Sequence, residues 1–256
     1  MDPRRPVLLG VAIAVVAATA LLVVLPRPPH PAPTEAPTAT PGPPRMTPAD
    51  EYAMFDHPSP ARSFDMPVTL SVDDAGLLVL PSDRLVASDA FLIGAVPFTF
   101  AVPAGRHAVS VLRTDFADGD RRIAAAMVRF GAGDPARWEL ALVAGQDPAT
   151  LGPDEIFGYG VDSGTGAFTS PEAAAALDGE AAYTSYSDAL LAAMPGKTLA
   201  DPLTASVVVD DTTHANVVAF GSGFGDGAYP SYVGYDRDGQ VVVVLTDFGI
   251  LDAPKG

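Results

Sequence analysis

Cysteine is absent from all 256 residues. That absence removes disulfides, thiolate nucleophiles, thiolate metal sites and lipid attachment through an N-terminal cysteine in one step. Burial alone must hold the fold. Lysine is nearly absent as well, since only Lys197 and Lys255 stand against thirteen arginines; with abundant alanine, glycine and proline, this bias points to a high-GC bacterial genome. The four histidines are His30, His57, His107 and His214. HExxH does not occur, so each reads as an isolated surface or core residue, and no serine sits in a G-x-S-x-G elbow. Positive charge is scarce where it would matter for polyanions. The first 45 residues hold four arginines against two acids, leaving 11 basic and 29 acidic residues in the remainder, a formal −18. A region so acidic repels nucleic acid and anionic lipid, and nucleic acid is not expected as a partner. A cationic partner or a divalent cation suits it better, while simple solubility is the plainer explanation of the charge.

What the chain does have starts at its N-terminus. Arg4 and Arg5 precede nineteen residues without a charge, Val7 to Leu25. As a helix this run spans roughly 28 Å, close to the hydrocarbon thickness of a bilayer. Ala18-Thr19-Ala20 resembles the cleavage site of a secretory signal, but the apolar run continues past it to Leu25, which favours an uncleaved anchor. The arginine flank places residues 1–6 in the cytoplasm, a membrane helix at 7–25 and the bulk of the protein outside. Between Pro26 and Pro48, ten of twenty-three residues are proline. Such a segment favours extended polyproline II and reads as a linker or stalk over 26–48.

Residues 49–256 are enough for one domain with a real core. Short runs rich in valine and aromatics, separated by Gly, Pro and Asp, predict strands at 68–72, 77–80, 96–102, 108–114, 123–130, 138–143, 157–161, 206–209, 216–220, 229–235 and 241–246. Hairpin turns are expected at Asp73-Asp74-Ala75-Gly76, Pro103-Ala104-Gly105 and Asp236-Arg237-Asp238-Gly239. Two helices interrupt the strands. One has Ser170 as N-cap, Pro171 at N1 and Glu172 in the first turn, and ends at Asp178-Gly179. The other runs from about Asp188 to Met194, capped by Ser187 and stopped by Pro195-Gly196. The expected fold class is α+β, mostly antiparallel sheet with two or so short helices.

Two glycine-rich blocks stand out. The first, Phe157 to Gly166, leads from a strand towards a helix. It departs from G-x-G-x-x-G at Ser163 and lacks the Lys-Ser/Thr ending of a phosphate loop. The second, Gly221 to Pro230, has glycine at 221, 223, 225 and 227, which would leave one face of an extended strand bare. A bare face means close approach of something: a neighbouring aromatic or strand on one reading, a ligand on the other. The ligand reading makes Asp162, Gly164, Gly166, Gly223, Gly225, Asp226, Gly227 and Tyr229 the candidate site. Asp162 and Asp226 would supply the polar contacts, as a cation site or an acid/base pair if the fold brings them together. The Asp236–Gly239 turn is no calcium loop, since its EF-hand alignment puts Gly234 and Leu245 at ligand positions.

These stretches also carry a family resemblance. Leu80 to Asp89, Val102 to His107, Arg137 to Leu142, the FGYGVDSGTGAF block from Phe157, the NVVAFGSGFGDGAYPSYVGYD block from Asn216 and the closing Leu245-Thr246-Asp247-Phe248 resemble domain of unknown function 4241. The resemblance covers roughly residues 65 to 252. Phe224 stands where the family tends to have tryptophan, and Ser88 where cysteine is frequent, so it gives neither an essential role. It implies one domain and the importance of the glycine blocks, with no activity attached. Two functions remain open: a membrane-tethered module that binds an extracytoplasmic protein, peptide or wall component without catalysis or cofactor, or a hydrolase or other enzyme built on Asp162 and Asp226.

Overall fold

The computed structural model describes residues 46–58, 60–152, 155–194 and 203–253. The expected membrane helix at 7–25, the linker up to residue 45 and the Pro195-Gly196 helix stop lie outside these. Among the described residues no helix is long and apolar enough to cross a membrane.

The described residues start inside what composition assigns to the linker. Met46 is buried, and the Thr47 side chain accepts the Asp50 N–H to cap helix α1 (Pro48–Asp56). Pro48 falls in the first turn, where its missing N–H leaves no bond unmade. Met46, Thr47 and Pro48 therefore belong to the domain, whose first helix was concealed by proline content.

The chain then runs through β1 (Ala61–Ser63), β2 (Met66–Leu80), β3 (Val86–Asp89), β4 (Gly105–Asp115), β5 (Arg121–Arg129) and β6 (Arg137–Leu140). Next come β7 (Tyr159–Val161), β8 (Thr165–Thr169), α2 (Pro171–Ala176) and α3 (Glu180–Ala193). The last strands are β9 (Thr204–Val208), β10 (Asn216–Gly221), β11 (Gly227–Tyr229), β12 (Ser231–Tyr235) and β13 (Val241–Asp247). All pairings between these strands are antiparallel, in sheets ordered β1-β2-β4-β5-β13-β12-β6, β3-β8-β10-β9 and β11-β7.

The two larger sheets enclose the main core. Leu78, Leu80, Val109, Val111, Ile123 and Val244 from the large sheet meet Phe168, Val218 and Phe220 from the small one. Helix α1 covers the other face of the large sheet, packing Tyr52 and Phe55 with Leu112, Met127 and Leu245. Helix α3 covers the outer face of the small sheet with Tyr186 and Leu190. The layers are thus helix, sheet, sheet, helix. This explains the unbroken apolar runs of β5 and β13: strands buried on both faces do not alternate.

Three expectations are corrected here. Asp73 to Gly76 is not a hairpin turn but a bulge in the continuous strand β2, where Asp74 pairs with Ser110 and Gly76 with Val109, leaving Ala75 extra. Gly76 takes a positive φ of 100°, as such a bulge demands. The extra residue switches faces, so Val68 and Leu70 point towards α1 while Leu78 and Leu80 point into the core between the sheets. The run 96–102 is not a strand either; it contributes only a bridge between Phe98 and Val143. Helix α2 has its Ser170 cap as read, with the hydroxyl accepting the Ala173 N–H, whereas α3 starts at Glu180, two turns earlier than expected.

Candidate functional site

The two glycine-rich blocks meet. β7 and β11 form a two-stranded ladder with Gly227 opposite Val161, Ala228 opposite Gly160 and Tyr229 opposite Tyr159. The loops beyond the ladder stay together, since Ser222 N–H donates to the Gly164 carbonyl at 3.1 Å. The second block is not extended, however. It leaves β10 at Gly221, turns through Ser222 to Asp226, and re-enters a strand at Gly227. The Tyr229 hydroxyl closes that turn, 2.8 Å from the Gly225 carbonyl and 3.1 Å from that of Ser222.

Most of the glycines are needed for packing. A Cβ on Gly158 would lie 2.5 Å from the Tyr229 carbonyl oxygen, one on Gly166 2.9 Å from the Tyr159 hydroxyl, and one on Gly227 3.0 Å from the Tyr229 ring. Gly223 combines a positive φ of 58° with Phe248 Cβ at 3.0 Å, and Gly164 and Gly225 also take positive φ. Backbone and aromatic rings therefore fill the space that the ligand reading reserved around Gly166, Gly223 and Gly227, whereas Gly164 and Gly225 are glycine for their positive φ and not because their space is filled. Gly160 is different: a Cβ there meets nothing within 4 Å, and its φ needs no glycine.

Asp162 and Asp226 follow directly after the last ladder pair, so the register sets them opposite one another, and both are exposed. Among the described residues no group of three or more His, Cys, Asp or Glu could hold a metal ion. The carboxylate that organises the region is one that sequence reasoning passed over. Asp89, at the end of β3 and 3% exposed, accepts N–H bonds from Asp162 (2.7 Å) and Ser163 (2.8 Å) on Oδ2. Its Oδ1 accepts the Ser163 hydroxyl (2.8 Å) and the N–H groups of Phe91 (2.7 Å) and Leu92 (3.0 Å). Burial, the largest single influence, pushes the carboxyl up, but the bonds from Ser163, Asp162 and Phe91 together outweigh it and hold its pKa below the usual aspartate range. The only local signal was Ser88-Asp89 at a strand end; the bonds to Asp162 and Ser163 cross more than seventy residues.

A cleft of about 240 Å³ is lined by Ser88, the residue before Asp89, though not by Asp89 itself. Val86, Ala87 and Ser88 of β3 form one wall, Gly158, Tyr159 and Gly160 another, and Ala141 and Ser231 lie at the edge of the large sheet. Gly94, Val96 and Phe98 close it from the loop after β3, with Val143 and Gln146 opposite. The Ser88 hydroxyl accepts the Gly94 N–H at 2.7 Å, and the Tyr186 hydroxyl donates to the Ala90 carbonyl at 2.6 Å, so both ends of that loop are held. The Tyr159 hydroxyl is buried without a hydrogen-bond partner among the described residues, and burial raises its pKa well above the ordinary phenol range. None of the eight residues of the candidate site lines this cleft; the first block reaches it through their neighbours.

The chain matches the family model described as a protein of unknown function (DUF4241) over residues 78–246. It belongs to that family. The matched span contains the whole cleft lining and Asp89, and begins after α1 and β1. No curated protein and no solved structure matches the chain.

Proposed function

We propose that this DUF4241 chain is a non-enzymatic binding module, held outside the membrane by its N-terminal helix and displayed on the proline-rich stalk, with its ligand in the cleft beside β3. One observation carries the reading. The cleft is lined by thirteen residues, none of them charged and none a histidine, while its polar groups are hydroxyls, one amide and backbone. A shaped, apolar pocket with a few polar groups is suited to recognition. A hydroxyl nucleophile there would need a general base within hydrogen-bond reach, and Ser88 instead spends its oxygen on backbone groups of Asp89, Leu92 and Gly94. The ligand is then an extracytoplasmic protein segment or wall component. The tether rests on Arg4, Arg5 and the apolar run Val7 to Leu25.

The competing enzyme reading draws on the register that sets Asp162 opposite Asp226. Both are exposed, and neither borders the cleft. Protease added to intact spheroplasts should remove the domain, and isolated wall sacculi or secreted peptides should bind the full chain saturably. Protection from protease sinks the tether; hydrolysis of a bound wall fragment, lost in Asp226→Asn, would replace binding with catalysis.

A further inference from the structure

The hydrogen-bond phase of β3 exposes a backbone edge inside the cleft. Ala90 N–H donates to the Thr165 carbonyl at 2.8 Å, in continuation of the β3–β8 register. Antiparallel ladders bond through alternate residues, so Ser88 and Val86 also face β8, and Ala87 and Asp89 turn their N–H and C=O groups away from it. The Asp89 carbonyl is met there by the Ser88 hydroxyl at 3.2 Å. Further back the same edge is covered: Phe98 N–H donates to the Leu85 carbonyl and Val102 N–H to that of Asp83, each at 3.0 Å. The covering segment then leaves the strand. Gly94 is held on Ser88, and the Ala87 N–H and C=O make no backbone bond on that side among the described residues.

We infer that an extended peptide fills this gap, pairing its backbone with Ala87 and placing an uncharged apolar side chain in the cleft. The inference rests on the cleft being the binding site. An unpaired donor and acceptor on a strand edge recognise another backbone. The walls set the side chain, because Val86, Val96, Phe98, Ala141 and Val143 offer no charge to pair with an ionic group. Leu92 and Val96, 60% and 58% exposed, add apolar surface on the same loop. Gly160, bare with open space over it, gives room for a second backbone against β7.

The test uses the full chain in detergent micelles and the fluorescein-labelled peptide Ser-Val-Ala-Val-Ser amide, followed by polarisation. Binding should saturate and vanish in Gly160→Leu. Backbone N-methylation moved along the peptide should weaken binding about tenfold or more at alternate residues and within about twofold at those between. Equal loss at every position, or none, overturns the pairing. If the peptide fails while wall sacculi bind and Gly160→Leu abolishes that binding, the peptide inference falls and the cleft stands. Should Gly160→Leu leave every observed binding intact, the cleft itself is not the site.

Discussion

The first and second glycine-rich blocks look alike in sequence and do different work. Both pair in the β7–β11 ladder, yet only the first borders the cleft. In the second, Gly223 and Gly227 are pressed by Phe248 and Tyr229, and the turn between them is sealed by the Tyr229 hydroxyl. The first block is split within itself: Gly158 is required by the backbone of Tyr229, and two residues on Gly160 faces open space. A run of glycines is therefore not one signal. Close packing, a positive φ and open space are three different settings for the residue, and only the neighbours tell them apart.

The largest effect expected from breaking this contrast is at Gly158. Gly158→Val pushes a side chain into strand backbone that cannot move aside without losing the ladder, and should cost about 4 kcal/mol or more, read as loss of the cooperative thermal transition. Next is Asp89→Asn. Its amide would set donors against the N–H groups of Asp162 or of Phe91, at a cost of about 3 kcal/mol in denaturant unfolding. The pH dependence has a definite sign. Because the folded pKa of Asp89 is lowered, its stabilisation is present above the ordinary aspartate pKa near ~4 and is lost as pH falls through the depressed folded value. Wild type should lose this contribution in acid, and Asp89→Asn should flatten that part of the curve. A variant as stable as wild type at pH 7 would remove Asp89 as the organiser of the loops at Phe91–Leu92 and Asp162–Ser163. The smallest effect is at Asp226, exposed and facing another carboxylate across the register. Asp226→Asn should change stability by less than about 0.5 kcal/mol and leave peptide binding unchanged.

The sequence made the interior strands legible and the site only by neighbourhood. β4, β5, β10, β12 and β13 announce themselves as runs of apolar and aromatic residues because much of each is buried, and Ser170-Pro171-Glu172 reads directly as a helix start. β8 stayed hidden, since Thr165-Gly166-Ala167-Phe168-Thr169 lacks a strand-like run and its glycine exists to admit the Tyr159 hydroxyl and Phe220 ring. β3 was missed for a similar reason, being four residues long with serine and aspartate in it. The bulge at Ala75 carries the composition of a turn, and only the pairing partner distinguishes the two. Of the two glycine-rich blocks only the first borders the cleft, and the conspicuous aspartates of both lie away from its lining. Asp89 lies in a stretch that carries the family resemblance, but nothing in that stretch marks it chemically; its role consists of contacts made after folding.

The most direct test of the account compares Gly160→Leu with wild type, measuring the thermal midpoint and the binding of the labelled Ser-Val-Ala-Val-Ser amide on the same samples. An unchanged midpoint is expected, because a Cβ at Gly160 meets no atom within 4 Å, together with complete loss of binding. Undiminished peptide affinity in a folded Gly160→Leu protein would contradict it.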